Sequence, residues 1–198
     1  MLEHFFGSRT RLKLLKVFFR SPERSFYVRE LARTINTQLN AVRREISNLQ
    51  KLKIIKQIEA PENNLDDPGT GRSKYYQVDE LSPLFAELRA LLTKSEVLEE
   101  QQLIEEIKQK GGKLKLFLLT GIFTGEKDAS TDILIVGKLK GTTLAKLIKR
   151  YENDLGKTVR YTFMSEDEFK DRRHIGDRFL FAILEAKHVF VVNEMNVS

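Results

Sequence analysis

The sequence predicts an α+β fold in two parts: an N-terminal domain of helices with a β-hairpin, followed by a small mixed α/β domain. In the first eighty residues, apolar residues recur at helical spacing, and two short runs of β-forming residues follow. After the glycine pair Gly111-Gly112, strand patterns alternate with helical ones. We therefore expect domains over residues 1–80 and 113–198, joined by linking helices over residues 81–112.

The N-terminal domain begins with three predicted helices. Ser8 can cap the first, whose apolar residues extend to Phe19, and Ser25 can cap the second, which ends at the polar turn Asn36-Thr37. The third helix starts directly after this turn. Its apolar stripe repeats at intervals of three and four residues and consists of Leu39, Val42, Ile46 and Leu49. Two helices joined by a tight turn are therefore predicted.

A β-hairpin follows the third helix. Residues 54–58 and 74–78 have the composition of paired strands, and residues 60–73 between them are rich in Pro, Asn, Asp and Gly. Asp66 and Asp67 at the tip would repel phosphate, whereas Arg72 and Lys74 near the base would attract it. Only the base of the hairpin is expected to contact a nucleic-acid backbone.

Positive charge is concentrated in the N-terminal part of the chain. Residues 1–60 carry thirteen Lys and Arg against five Asp and Glu, a net charge of +8, whereas the whole chain carries +6. A basic domain attached to a nearly neutral one indicates a phosphate-binding module. A well-solvated helical surface is the alternative explanation of the charge taken by itself.

Residues 26–58 resemble a winged helix-turn-helix of the type found in bacterial and archaeal regulators. Val28-Arg29-Glu30-Leu31-Ala32 matches the positioning helix, residues 39–49 match the recognition helix, and Leu52-Lys53-Ile54-Ile55 leads into the wing. Many such domains have a glycine in place of Lys53, at a turn that favours the left-handed conformation. The resemblance implies a transcriptional regulator that binds double-stranded DNA, with its recognition helix in the major groove.

The polar face of the third predicted helix has the residue types that read DNA. Arginine can bind guanine through two hydrogen bonds or contact phosphate, and the amides of Asn and Gln suit adenine. We expect Asn40 and Arg43 to contribute most. The candidate DNA-binding residues are Thr37, Gln38, Asn40, Arg43, Arg44, Ser47, Arg72 and Lys74. The helical residues among them are also compatible with a merely solvated face, and a winged helix can bind protein instead of DNA.

Two linking helices are predicted between the domains. Ser82-Pro83 is typical of a helix start, and Thr93 with Glu96 has the spacing of a capping box that would begin a second helix. The second helix is expected to end at Gly111-Gly112. Because soluble oligomers are most often symmetric dimers, we expect a homodimer with contacts in the helices between Leu84 and Lys110.

The C-terminal domain resembles the minimal nucleotidyltransferase domain. The resemblance rests on residues 117–123, on residues 129–137, where a Ser-Asp-x-Asp-Leu-x-x-Val pattern is expected, and on residues 177–192. Such enzymes hold two magnesium ions with carboxylates that alternate along one strand. Gly121 and Asp132 match the motif. Ser130 stands at the first carboxylate position, Ile122 replaces the loop serine, and residues 158–164 hold no acid.

One remaining carboxylate is too few for two magnesium ions, so we expect a nucleotidyltransferase-like domain without catalytic activity and without a cofactor. Asp132 is then expected to cap a helix or turn at a strand edge, although Asp128 in the preceding loop leaves a shifted catalytic site open. An inactive domain of this kind can sense a nucleotide effector, bind a protein effector or support association. An antitoxin-like adaptor is a further alternative.

Composition restricts the remaining classes of function. The chain has no cysteine, which excludes disulfides and thiolate sites. Its three histidines are scattered along the sequence, which argues against a metal centre. No apolar run reaches the roughly 18–20 residues that a membrane span needs. We therefore expect a cytoplasmic protein with no membrane partner.

Overall fold

The computed structural model describes residues 2–59, 74–126 and 128–197. Its internal contacts divide the chain into two compact units, Met1–Leu98 and Glu99–Ser198. Each unit has an apolar core of its own, and the longest helix contributes residues to both cores.

The N-terminal unit combines helices with a small antiparallel sheet. Its elements are α1 (Leu2–Phe6), α2 (Arg9–Arg20), β1 (Phe26–Tyr27), α3 (Val28–Thr34), α4 (Leu39–Lys51), β2 (Ile55–Ile58), β3 (Tyr75–Val78) and the first part of α5 (Phe85–Lys110). The strands lie in the order β1-β3-β2. The predicted order of helix, turn, helix and hairpin is confirmed, while residues 60–73, including Asp66 and Asp67, lie outside the described residues.

The start of α3 differs from the sequence-based expectation. Its N-cap is Tyr27, whose side chain makes no capping hydrogen bond, so the prediction that Ser25 caps this helix was wrong. Phe26 and Tyr27 instead form β1, and Tyr27 pairs with Tyr75 of β3. The ring of Phe26 also packs edge-on against Phe18, with 5.6 Å between centroids. The backbone is therefore held in an extended conformation until Val28.

Two residues other than glycine adopt the left-handed conformation at the ends of the two central helices. Asn36 has φ +48° in the turn between α3 and α4. The amide of the next residue, Thr37, donates a hydrogen bond to Ala32 O at a distance of 3.0 Å. Lys53 has φ +54° between α4 and β2. Asparagine tolerates this region better than lysine does, so the turn at Lys53 forms at a conformational cost.

The segment between the predicted domains is one helix, not two. α5 runs from Phe85 to Lys110 without interruption, so the expected break at a Thr93–Glu96 capping box was wrong. The Glu96 carboxylate accepts a hydrogen bond from Arg20 Nη2 at 2.8 Å, and Leu92 is buried in the core. Packing and this ion pair hold the segment in a continuous helix. The helix ends directly before Gly111, as predicted.

The C-terminal unit is a mixed sheet with helices on both faces, as the alternating pattern predicts. Its elements after α5 are β4 (Gly112–Leu119), a 3₁₀ turn (Gly121–Phe123), β5 (Ile133–Leu139), α6 (Gly141–Leu155), β6 (Tyr161–Met164), α7 (Glu166–His174), α8 (Arg178–Glu185) and β7 (Val189–Asn193). The strand order is β6-β5-β4-β7, in which only β5 and β6 run parallel.

The two faces of this sheet bury separate apolar clusters because strand residues alternate between faces. Ile133 and Ile135 pack with α6 and with the second half of α5, whereas Leu134 and Val136 pack with α7 and α8. Among the described residues, no helix is both long and apolar enough to cross a membrane.

Candidate nucleic-acid interface

α4 buries one face and exposes the other. Val42, Ile46 and Leu49 are at most 2% exposed and belong to the core of the N-terminal unit. The polar residues predicted to read DNA are all exposed: Asn40, Arg43, Arg44 and Ser47 lie on the opposite side of the helix, and Gln38 is the N-cap that precedes it. We call these five exposed residues the α4 face.

The two arginines of the α4 face are not neutralised by the protein. Arg43 Nη1 lies 3.5 Å from Asn40 Oδ1, a contact at the limit of hydrogen bonding. Within the described parts of the chain, neither Arg43 nor Arg44 forms an ion pair with a carboxylate. Both guanidinium groups therefore keep their donors for an external acceptor.

The other candidate residues differ in how available they are. The Thr37 hydroxyl donates to Ile35 O at 3.1 Å within the turn, which occupies its proton. Gln38 is the N-cap of α4 without a capping hydrogen bond, so its amide is not committed there. Lys74 is exposed directly before β3, and Arg72 lies outside the described residues.

Two part-buried polar contacts fix α4 against the start of α2, and a third within α4 supports them. The Glu45 side chain, 6% exposed, accepts hydrogen bonds from Ser8 Oγ at 2.8 Å, Arg11 Nε at 2.9 Å and Asn48 Nδ2 at 3.3 Å. Ser8 also caps α2 by accepting from the Arg11 amide at 3.2 Å. We call Ser8, Arg11, Glu45 and Asn48 the Glu45 cluster; it sets the position of the α4 face.

The electrostatics of the Glu45 cluster favour the ionised carboxylate. Burial acts to raise the pKa of Glu45, but the hydrogen bonds from Ser8, Asn48 and Arg11, together with the charge of Arg11, outweigh it and lower the pKa. Sequence reasoning missed this residue. Its position three residues after Val42 and four before Leu49, on the apolar stripe itself, was the available signal.

Sequence reasoning also missed two basic residues of α3. Arg29 and Arg33 are exposed and have no acidic partner among the described residues. Their spacing of four residues places them one turn apart on the same side of the helix, a pattern that suits successive phosphates. The i, i+4 spacing of two arginines in α3 was the signal in the sequence.

In the C-terminal unit, Asp132 lies at the centre of a closed polar network. Asp132 is fully buried, and one carboxylate oxygen accepts from Ile122 N at 3.0 Å and Arg160 Nη2 at 2.8 Å. The other accepts from Arg160 N at 2.7 Å and Nε at 3.1 Å. Arg160 Nη1 donates to Ala129 O. We call Gly121, Asp132 and Arg160 the Asp132 network.

Gly121 allows the close approach on which this network depends. Its φ is +56°, and a Cβ at this position would lie 1.9 Å from Asp132 Oδ1. Ser130 is exposed and lies outside the network. The Asp132 carboxylate therefore ties the 3₁₀ turn after β4 to the residue that precedes β6.

The chemistry of the Asp132 network suits a structural role. Burial acts to raise the pKa of Asp132, but the hydrogen bonds from Arg160 and Ile122 and the charge of Arg160 outweigh it and lower the pKa; the same pairing raises the pKa of Arg160. Four donors already surround the two oxygens. Across the described residues, no group of three His, Asp or Glu side chains is placed to hold a metal ion.

Comparison with known proteins gives only distant likenesses. No family model matches the chain, and no curated protein matches it. Among solved structures, it is similar to the adhesin competence repressor AdcR from Streptococcus pyogenes (TM-score 0.36, 17% identity, 50% of this chain and 66% of that one). It is also similar to a mutant of ZitR from Lactococcus lactis (0.37, 18%, 50% and 61%) and to the reduced form of MarR from E. coli (0.31, 18%, 54% and 81%).

The chain spans slightly less than two thirds of the length of the first two neighbours. The TM-scores are too low to assign a shared fold. The function of the chain is therefore inferred from its own residues.

Proposed function

We propose that this chain is a sequence-specific DNA-binding transcriptional regulator that acts as a homodimer. The observation that carries the proposal is the α4 face, because it combines exposed amide side chains with two arginines that have no acidic partner in the described ranges, on a helix whose other side is buried. The order of α3, turn, α4 and hairpin supports it, since a recognition helix needs such a frame to enter the major groove. The net charge of +8 over residues 1–60 supports affinity for phosphate.

The spacing of the α4 face suggests how much sequence one subunit reads. Residues 40–47 span about 10 Å along the helix axis, which corresponds to the rise of about three base pairs. In this proposal Arg43 or Arg44 binds guanine through two hydrogen bonds, and Asn40 binds adenine. Arg29, Arg33 and Lys74 contact phosphates, which positions the helix without selecting sequence.

For the C-terminal unit, we propose a nucleotidyltransferase-like domain that has lost catalysis and serves association or the sensing of a nucleotide or protein effector. The Asp132 network supports the loss of catalysis, because a metal ion at Asp132 would first have to displace Arg160. Ser130 offers a hydroxyl where a second carboxylate would be needed.

Selection from a random DNA duplex pool tests the proposal. The full chain and an Arg43→Ala/Arg44→Ala variant are compared over a salt series, and the retained DNA is sequenced. We expect an enriched, roughly palindromic motif for the wild type, with affinity that falls steeply as salt rises. The variant is expected to lose the enrichment, because each lost contact to a base is worth about 1–3 kcal/mol of discrimination.

A second variant separates recognition from net charge. Arg173 and Arg178 of the C-terminal unit are also exposed, so Arg173→Ala/Arg178→Ala removes the same amount of charge from residues outside the α4 face. This control is expected to enrich the same motif as the wild type. The proposal fails if neither the wild type nor the Arg173→Ala/Arg178→Ala control enriches a motif. It also fails if the Arg43→Ala/Arg44→Ala variant enriches the wild-type motif unchanged.

A further inference from the structure

α5 carries a second stripe beside the one that enters the core of the N-terminal unit. Phe85, Leu88 and Leu92 pack into that core, and Phe85 stacks on Phe19 with 5.4 Å between centroids. Roughly a quarter of a turn around the helix, residues recur at intervals of three and four. They are Leu84, which directly precedes α5 and whose carbonyl accepts from the Leu88 amide at 3.0 Å, and Glu87, Leu91, Lys94 and Leu98 within the helix. We call these residues the α5 stripe.

The leucines of the α5 stripe are spaced by seven residues and face solvent. Leu84 is 50% exposed, Leu98 is 48% exposed, and Leu91 is partly exposed between them. A seven-residue repeat of leucine aligns along one side of a helix, which is the pattern of a helix that packs on another helix. Covering these side chains would be favourable because it removes apolar surface from water.

The α5 stripe carries one charge on each side of Leu91. Glu87 lies four residues before it and Lys94 three residues after it, and both side chains are exposed. Neither has an ionic or hydrogen-bonding partner in the described ranges 2–59, 74–126 and 128–197. The stripe therefore has one apolar centre, one charge of each sign beside it and an apolar residue at each end.

We propose that the α5 stripe packs against the same stripe of a second copy of this chain, with the two helices antiparallel and a twofold axis at Leu91. In this arrangement Leu84 lies opposite the partner's Leu98, each about 10 Å along the axis from the centre. Glu87 lies within about 1.5 Å, along the axis, of the level of the partner's Lys94. The twofold axis repeats both contacts, so the surface is self-complementary.

The same charges disfavour the parallel arrangement. With parallel helices in register, Glu87 would face the partner's Glu87, and Lys94 would face the partner's Lys94. Like charges at such positions are destabilising, whereas opposite charges are stabilising. The antiparallel pair is the one that satisfies both the leucines and the charges of the stripe.

Sedimentation equilibrium of the full chain tests this inference through charge reversal. Lys94→Glu is the first variant, because Glu87 also lies in the first turn of α5 and stabilises the helix end. It replaces two attractive pairs by two repulsive ones, so we expect the dimer Kd to rise roughly tenfold or more. The double variant Lys94→Glu/Glu87→Lys recreates both pairs with exchanged signs and is expected to return the Kd to within about threefold of the wild type.

The matched control is Arg89→Glu, a charge reversal at an exposed residue of α5 outside the stripe, for which the Kd is expected to stay unchanged. Circular dichroism establishes that each variant is folded. A monomeric wild type, a Lys94→Glu variant that dimerises as well as the wild type, or a double variant that fails to recover would overturn the inference.

The inference rests on the proposed homodimer. Binding to a duplex with a single half-site distinguishes failure of the α5 stripe from failure of DNA recognition. One α4 face suffices for a half-site, so this binding tests DNA recognition without the α5 stripe. If half-site binding is retained and the Lys94→Glu variant dimerises as well as the wild type, only the α5 stripe is rejected. If the wild type does not bind the half-site duplex selectively, DNA recognition is rejected instead.

Discussion

Replacing Asp132 by Asn tests whether this residue is a structural acid or a metal ligand. The substitution keeps the shape of the side chain and removes its charge. In the wild type, two donors meet each carboxylate oxygen, and all four come from Ile122 and Arg160. An amide has one accepting oxygen, so its NH₂ group would face two N–H donors.

The structure sets the expected size of the effect. Removing one partner of a buried ion pair typically costs about 3–5 kcal/mol of folding free energy. Arg160 is half-exposed, at 46%, and water can solvate its guanidinium, which places the expected loss of folding free energy at about 3 kcal/mol. This is a large fraction of the roughly 5–15 kcal/mol that stabilises a typical domain. With the usual urea dependence, the unfolding midpoint should fall by roughly 1–3 M.

Urea unfolding followed by circular dichroism measures this shift, with Asp128→Asn as the control in the same loop. Asp128 is exposed, and its substitution should change stability by no more than about 0.5 kcal/mol. Gly121→Ala should mimic Asp132→Asn, because the new methyl group would meet the carboxylate. An Asp132→Asn variant that unfolds at the wild-type urea concentration but loses magnesium-dependent nucleotide transfer would refute the structural role and establish a working enzyme.

Three further predictions concern the N-terminal unit. Ser8→Ala should lower the unfolding free energy of this unit by about 2 kcal/mol in a urea titration, because both a helix cap and a hydrogen bond to Glu45 are lost. The control Ser47→Ala, at an exposed site, should be nearly neutral in the same titration. Because the folded-state pKa of Glu45 is lowered, the stabilisation from this carboxylate is complete above its unfolded-state pKa and is lost as pH falls from there through the folded-state pKa. A thermal-unfolding series against pH should show this loss of stability, and Glu45→Gln should make the pH dependence weaker. Lys53→Gly should raise the unfolding free energy by about 0.5–1 kcal/mol, and a lower midpoint in calorimetry would show that the φ of +54° carries no cost.

Local patterns predicted the elements whose partners are close in sequence. The stripe of α4 is visible because Val42, Ile46 and Leu49 repeat at helical spacing, and its exposed face follows directly from that repeat. The mixed sheet of the C-terminal unit followed from the alternation of strand and helix patterns. The expectation that Asp132 caps a turn was close, since its carboxylate accepts from the Ile122 amide in the 3₁₀ turn.

Interactions between distant residues account for the differences. Ser25 precedes a plausible helix, but pairing of Tyr27 with Tyr75 delays its start. Thr93 and Glu96 have capping-box spacing, but Arg20 takes the carboxylate of Glu96. The Arg160 partner of Asp132 lies 28 residues away, and no local pattern connects the two. Each departure depends on a contact that the fold creates.

The Glu45 cluster has a consequence for moving α4 into another protein. The acceptor lies in α4, whereas Ser8 lies 37 residues earlier, at the start of α2. A host that receives α4 alone would bury the Glu45 carboxylate without the donors of Ser8 and Arg11, which is costly for a charged group. Under the proposed function, specificity is therefore transferred by exchanging only the exposed residues of α4, or by transplanting Ser8, Arg11 and Glu45 together as one unit.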